Sequence, residues 1–489
     1  MHNEFQGYDF APLSLLLGAI ISCGSASPPR AVATSEETMA VQAALDAANV
    51  RVPESAAHLY CPQYAGKPMQ FIDALMEGAV LPKKLTPCLP LDVNASPKKN
   101  INKGELNEAI RQLDAFGWQM FIALNWPVTQ DGDDLLFAPS LAGPGNPRWY
   151  GWNTTDEAFQ GKGGVPEPWH STSDDTLETT LHILSDMQPS AQRLRDQHGR
   201  LVGFEIQMNK IVYDQIRGDG SGDLYTAEGQ STKVDRMLFP WGQADAAHRQ
   251  VGSTVIKLAW KALDAQDHRG RFFKRKAVMP DDAVPGDPKQ REFGLVGMHI
   301  GYKLSYLDSK WVWITFEHID NVDDKDELDC PAPASRPLEE PLFYDKQCKH
   351  CPPNQPPPEE GRGRGPHGHP TQVVREARIR EDTQKFNCEV RALLHSHAPK
   401  SPAQYYKLVA AQAAIWREKE TKWQSVPPYA LNTMLETYEQ HSEKEEERGC
   451  VQCHLLAPRK VKGPKGGYID AAGMGDSMYM LTRRLQIKQ

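Results

Sequence analysis

Apolar residues in this chain follow two rhythms. Between Asn107 and Leu124 they recur three and four positions apart, the spacing of one helix face, and the run leads into Phe121-Ile122-Ala123-Leu124-Asn125-Trp126-Pro127. Further on, Leu201 to Met208, Val255 to Trp260, Gly294 to Tyr302 and Trp311 to Ile319 are short and rich in β-branched and aromatic residues, which predicts strands. The last two predict a hairpin joined by Lys303 to Lys310. Helical spacing returns in Asp382 to Leu394, Ala403 to Glu420 and Tyr429 to Glu447, and shorter helical pieces precede the body at Glu37 to Ala48 and Met69 to Met76. No repeat period and no phosphate-cradling glycine motif accompanies these runs. The expected fold class is α+β, with an antiparallel, strand-rich body and a C-terminal helical region.

Composition divides the chain further. Residues 1–23 hold the apolar run Leu13 to Ser22, about ten residues long, which is signal-peptide length and too short to span a bilayer. It ends at Ile20-Ile21-Ser22-Cys23, similar to a bacterial lipoprotein processing box, so a lipid on Cys23 is the expected membrane attachment. Glu4 and Asp9, with no Lys or Arg ahead of the run, depart from the usual positive start, and a buried N-terminal helix is the blander alternative. Residues 24–100 read as a leader that packs on the body, and 101–330 as the α+β body. Residues 331–372 carry Pro352-Pro353-Asn354-Gln355-Pro356-Pro357-Pro358 and a glycine stretch with His367 and His369, a composition that predicts a long surface loop pinned by disulfides. A solvated turn is the expectation for the two histidines, with metal binding the lesser alternative. Residues 373–489 form the expected helical region.

The 489 residues, 40% of them apolar, suffice for a large core or for two or three ordinary domains. Net charge is −8 with the two signs interspersed, and no long basic block suits nucleic acid.

One short run carries chemistry. Cys450-Val451-Gln452-Cys453-His454 is C-x-x-C-H, the attachment signature of covalent c-type haem. Each sulfur of such a pair adds to one porphyrin vinyl group, and the adjacent histidine then lies beneath the ring, so Cys450 and Cys453 are the expected covalent attachments and His454 the proximal iron ligand. With 9 Cys and 16 His in the chain, chance supplies only about 0.005 such runs. Two alternatives stand beside it. Zinc is one, since Cys348-Lys349-His350-Cys351 adds a second C-x-x-C, although far from the first. A thioredoxin-like dithiol is the other, although it needs a preceding strand where this sequence reads as helical. Haem attachment by this motif takes place outside the bacterial cytoplasm, which agrees with the apolar leader. Apart from Cys23, Cys450 and Cys453, six cysteines remain. Cys61 and Cys88 are expected to bridge locally, and Cys330, Cys348, Cys351 and Cys388 to pair with one another.

For the distal side of the iron, Met474, Met478 and Met480 follow the motif. Met474 is the best placed, because Ala471-Ala472-Gly473-Met474-Gly475 lets the backbone approach a ring, while the other two suit packing. An empty position or a ligand from the strands is the alternative. Counting by twos puts His299 on a face with Leu295 and Gly297, and His318 on one with Val312, Ile314 and Phe316. Both read first as hydrogen-bonded core histidines, and second as a distal ligand or an acid–base group.

The stretch 116–127, Ile256-Lys257-Leu258-Ala259-Trp260-Lys261, Gly297-Met298-His299-Ile300, Trp311 to Asn321 and the C-x-x-C-H run together resemble a group of uncharacterised bacterial proteins known only as "cytochrome c family protein". The resemblance covers most of residues 100–489. It implies one haem c and secretion, and it assigns no substrate. The resulting expectation is an exported monohaem c-type cytochrome, periplasmic or outer-membrane-anchored, passing electrons to a redox partner protein. Arg459, Lys460, Lys462 and Lys465 follow the motif closely and suit a basic collar for an acidic partner, with a merely solvated loop the equal alternative. A haem-dependent oxidoreductase acting on a small molecule, or a haem subunit of a larger redox complex, is the runner-up, since the body exceeds what carrying one electron requires.

Overall fold

The computed structural model describes Leu85, Pro87, Leu89, Pro90 and residues 103–482, apart from 132–133, 160–163, 170–178, 182–192, 219–222, 233–237, 243–250, 280–289, 306–310, 325–326, 332–333, 349, 357–369, 418–421 and 441–448. The apolar leader, Cys23, Cys61, Cys88, the two short N-terminal helical pieces, His367 and His369 lie outside the described residues.

Helix α1 (Lys103–Leu124) is followed by β1 (Pro127–Asp131), β2 (Asp134–Phe137) and β3 (Asn146–Pro147), which form a small antiparallel sheet in the order β2-β1-β3. Next come β4 (Asn153–Thr154), α2 (Thr155–Ala158), β5 (Thr179–Thr180), β6 (Gly203–Met208), α3 (Lys210–Arg217) and α4 (Ala227–Thr232). The long strands follow: β7 (Thr254–Ala262), β8 (Lys274–Val278), β9 (Gln290–Lys303) and β10 (Trp311–His318). Helix α5 (Glu381–His397), β11 (Tyr406–Arg417), β12 (Lys422–Val426), α6 (Cys450–Leu455), β13 (Arg459–Lys462) and β14 (Tyr468–Ala471) complete the order. Among the described residues nine strands make one large sheet with the path β12-β11-β10-β9-β7-β6-β4, and β8 pairs with both β9 and β5. Its pairings are antiparallel except β5 with β8. The architecture is α+β, and the four expected strands and the β9–β10 hairpin are present.

Helix α1 lies across one face of this sheet because its apolar stripe has aromatic partners there. Phe121 stacks on Phe316 at 4.2 Å, Trp118 meets Phe316 edge-on at 4.9 Å, and Phe116 tilts against Tyr302 at 5.4 Å. Phe116, Phe121 and Phe316 are fully buried, each contributing on the order of 2–3 kcal/mol through burial. Helix α5 joins the same layer, where Trp118 Nε1 donates to Asn387 Oδ1 and Asn387 Nδ2 donates to the Leu408 carbonyl. Cys330 is disulfide-bonded to Cys388 of α5, and Cys348 to Cys351, so these four cysteines pair among themselves as expected.

Two expectations need correction. The C-terminal region is not mainly helical. Ala403 to Glu420 and the residues after it supply β11 and β12, which pair antiparallel at Ala413 with Val426 and onward. Tyr429 to Glu447 shows only a short 3-10 turn at Thr437–Glu439 among its described residues. Alanine-rich sequence favours helix locally, but Leu408, Ala410, Ala411 and Ala413 are buried between layers, and small residues on both faces of a covered strand leave no alternation to read. His299, in turn, does not share a face with Leu295. Opposite β9, Ala259 pairs with Gly297 while Trp260 pairs with Leu295, so the bulge leaves one extra residue on β9 and reverses the alternation.

Candidate cofactor site

The face of the large sheet turned away from α1 is where the sequence motif sits. α6 begins at Cys450 after an extended Gly449 and stops when Leu456 and Ala457 donate back to Cys453 and His454. One helical turn sets Cys450, Cys453 and His454 on neighbouring positions of one face. Gln412 of β11 anchors the helix, accepting from the Val451 amide at 3.0 Å and donating to the Pro427 carbonyl at 2.7 Å. Ser425 of β12 bonds the Gln452 side chain.

His454 is held on three sides. Its Nδ1 lies 2.7 Å from the Ser477 carbonyl, its ring packs on Trp313 of β10 at 3.8 Å, and Tyr479 meets it edge-on at 5.5 Å while donating its hydroxyl to the Cys453 carbonyl. Gly301 on β9 makes room for this packing, since a Cβ there would meet the Trp313 ring at 2.9 Å. Burial drives the imidazole pKa down to about 4, against the opposing pull of the Ser477 carbonyl. The ring is therefore neutral near pH 7. With Nδ1–H donating to a carbonyl, the lone pair is on Nε2, the arrangement of a histidine ready to bind metal.

Beside α6 a polar row crosses the sheet. Lys257 on β7 pairs with His299 on β9, and His299 with Thr315 on β10. His299 Nε2 lies 2.9 and 2.8 Å from the two oxygens of Glu436, and its Nδ1 lies 2.9 Å from Thr315 Oγ1, which is also 3.3 Å from the Ala430 carbonyl. Burial opposes ionisation of Glu436, but His299 and Lys257 outweigh it and hold the carboxyl below its usual range. The free, buried Cys450 thiol ends the row, its Sγ 3.8 Å from the same Ala430 carbonyl, and burial pushes its pKa well up. Both His299 nitrogens are thus engaged. His318 is likewise occupied, with Nε2 at 3.0 Å from the Arg271 carbonyl, Nδ1 accepting from the Asp320 amide, and its ring stacked on Phe272. Both are hydrogen-bonded core histidines here.

The structure sets Cys450, Cys453 and His454 on one turn of α6. Met474 is half-buried in a loop whose neighbours Gly473 and Gly475 donate to the Leu456 and Ala457 carbonyls, beside the end of α6. Of the expected basic collar, Lys462 and Lys465 are exposed, whereas Lys460 pairs with Asp470 and Arg459 is buried, donating to the Gln230 carbonyl. Sequence reasoning did not single out Lys257, Thr315, Glu436 or Ser477. A lysine flanked by Ile256 and Leu258 was a visible signal, while Glu436 and Ser477 reach the site from irregular segments that carry none.

Haem makes a different demand on these residues from a bare metal ion. Among the described residues no three His, Cys, Asp or Glu side chains form a metal-binding group, but porphyrin supplies iron's equatorial ligands and asks the chain only for axial ones. His454 suits that demand, and the free Cys450 thiol suits covalent attachment at a vinyl group. Cys453 is disulfide-bonded and becomes available for attachment once that bond is reduced, because a sulfur cannot hold a disulfide and a thioether together. Zinc shared with the other C-x-x-C fits less well, since Cys348 and Cys351 are bonded to each other. No family model matches this chain, and neither a curated protein nor a solved structure does. The resemblance to cytochrome c family proteins stands on the motifs alone.

Proposed function

We propose that this chain is an exported monohaem c-type cytochrome that transfers electrons to a partner protein. The observation that carries the reading is His454, fixed by Ser477, Trp313 and Tyr479, on the same helix face as Cys450 and Cys453. Cys450 and Cys453 would hold haem covalently, His454 would ligate its iron, and Met474 is the distal candidate. Bound haem supplies a one-electron couple at iron. The chain's own part is to orient His454, to exclude water on the Cys450 side, and to present a docking surface. Exposed Lys462 and Lys465, with Tyr468 and Ile469 at 41% and 51% exposure on the β13–β14 hairpin beside α6, suit an acidic partner with an apolar centre. Export to the periplasm, or attachment to the outer membrane through lipid on Cys23, belongs to the same reading. One observation favours the runner-up, a haem oxidoreductase: the buried Glu436–His299–Thr315 row is an acid–base arrangement that electron carriage alone does not need.

A denaturing gel of the chain expressed with haem-attachment machinery should stain for haem at the chain's mass, and the stain should vanish in Cys450→Ala/Cys453→Ala. A colourless wild-type protein under those conditions overturns the proposal. Carbon monoxide then separates the two readings, because a ligand-closed iron excludes it and an open, catalytic one binds it.

A further inference from the structure

The loop that fixes His454 is itself held under strain. Asp476 and Ser477 have φ of 46° and 65°, consecutive non-glycine residues in the left-handed region, which costs free energy and persists only where the surroundings enforce it. The enforcing contacts converge on Asp476. Its carboxylate pairs with Lys303 at the end of β9, with both side chains buried, and accepts from the Phe239 amide at 2.7 Å. Gly475 clamps the other side. Its amide donates to the Ala457 carbonyl at 2.9 Å, and a Cβ there would meet the Pro458 carbonyl at 2.4 Å. Lys303, in turn, sits 5.8 Å over the Trp311 ring, and Trp311 stacks on the Trp313 that packs against His454. The sheet and the loop therefore reach the imidazole by two routes from one buried ion pair.

We propose that Asp476 is a positioning residue that, anchored by Lys303 and Phe239, holds the left-handed turn aiming the Ser477 carbonyl at Nδ1 of His454. Its consequence for haem rests on the reading of His454 as axial ligand, but the geometry it claims exists in the haem-free chain. A lost Nδ1 hydrogen bond leaves the imidazole free to rotate and to exchange tautomers, and it weakens the donation of the ring toward a metal.

The test uses the full-length chain with nitrogen-15 histidine. In the haem-free protein, wild-type His454 should give one set of ring signals with the proton on Nδ1. Asp476→Gly separates anchoring from mere tolerance of the turn, since glycine favours positive φ but brings no carboxylate. It should give mixed tautomers, and the haem-loaded variant should show a raised reduction potential. Asp476→Asn keeps the size and the Phe239 contact but loses the ion pair, and should fall between the two. If Asp476→Gly fails to fold, Asp476→Asn and Lys303→Met decide the matter by the same signals. A single Nδ1–H tautomer and an unchanged potential in all folded variants overturns the proposal. A wild-type chain that shows the expected tautomer but takes up no haem would sink the cytochrome reading while leaving the positioning role intact.

Discussion

Replacing Arg375 with methionine should cost about 3–5 kcal/mol of folding stability, the usual penalty for leaving a buried charge without its partner. Arg375 pairs with Glu317 on β10 and, through Nε, with Asp324 at 2.8 Å, and all three side chains are at most 7% exposed. Lys407 remains to balance Asp324 at 3.2 Å and also meets Glu327 at 2.6 Å, so the carboxylate stranded by the substitution is Glu317. Glu317 also accepts the amide of Thr433, which ties the segment carrying Asn432, Met434 and Glu436 onto the sheet. The loss should therefore reach the site: the Thr433 amide should exchange with solvent faster, and the hold of Glu436 on His299 should loosen. Urea unfolding measures the first effect and native hydrogen exchange the second. Arg375→Met/Glu317→Gln should recover much of the lost stability, because the neutral amide removes the stranded charge while its oxygen still accepts from Thr433. Equal losses in the single and double variants would mean that packing, not charge, sets the cost.

How much of this was legible in the chain follows from what each segment packs against. Helix α1 and strands β6, β7, β9 and β10 could be read because their apolar positions repeat with the period of one covered face or run unbroken through a buried strand. β11 could not, since its Leu-Val-Ala-Ala-Gln-Ala-Ala run looks like helix in isolation and becomes strand only by pairing with β10. The motif on α6 was fully legible, as the chemistry of attachment dictates its spacing. Its surroundings were not. Ser477 acts through its backbone carbonyl, which any residue has, and Asp476 matters through a turn that its own type does not favour. Glu436 meets His299 across 137 positions of sequence, a distance over which no local pattern operates.

Two buried groups away from the site should give the protein opposing responses to pH. Asp114 on α1 is raised by burial from 3.8 to about 7, with the Thr383 hydroxyl at 2.6 Å working against the shift, and its other oxygen is buried without a partner. His318 on β10 is lowered by burial from 6.5 to about 4, with Asp320 working against that shift. Between about pH 4 and 7 native Asp114 keeps a proton that the unfolded chain has released, so the unfolded state binds fewer protons and stability falls as pH rises. Between about pH 4 and 6.5 native His318 stays neutral while the unfolded chain takes up a proton, so stability rises with pH. In the wild type these two slopes largely cancel. Asp114→Asn removes the falling one, and relative to wild type it should gain about 2–3 kcal/mol on going from roughly pH 4.5 to 6.5, at about 1.4 kcal/mol per pH unit for a fully shifted group. His318→Gln removes the rising one, and its stability relative to wild type should fall over the same interval by a similar amount. Urea unfolding of the three proteins at the two pH values measures both differences. If the variants parallel wild type across the interval, Asp114 and His318 titrate as they do in the unfolded chain, and burial of these two side chains does not perturb them.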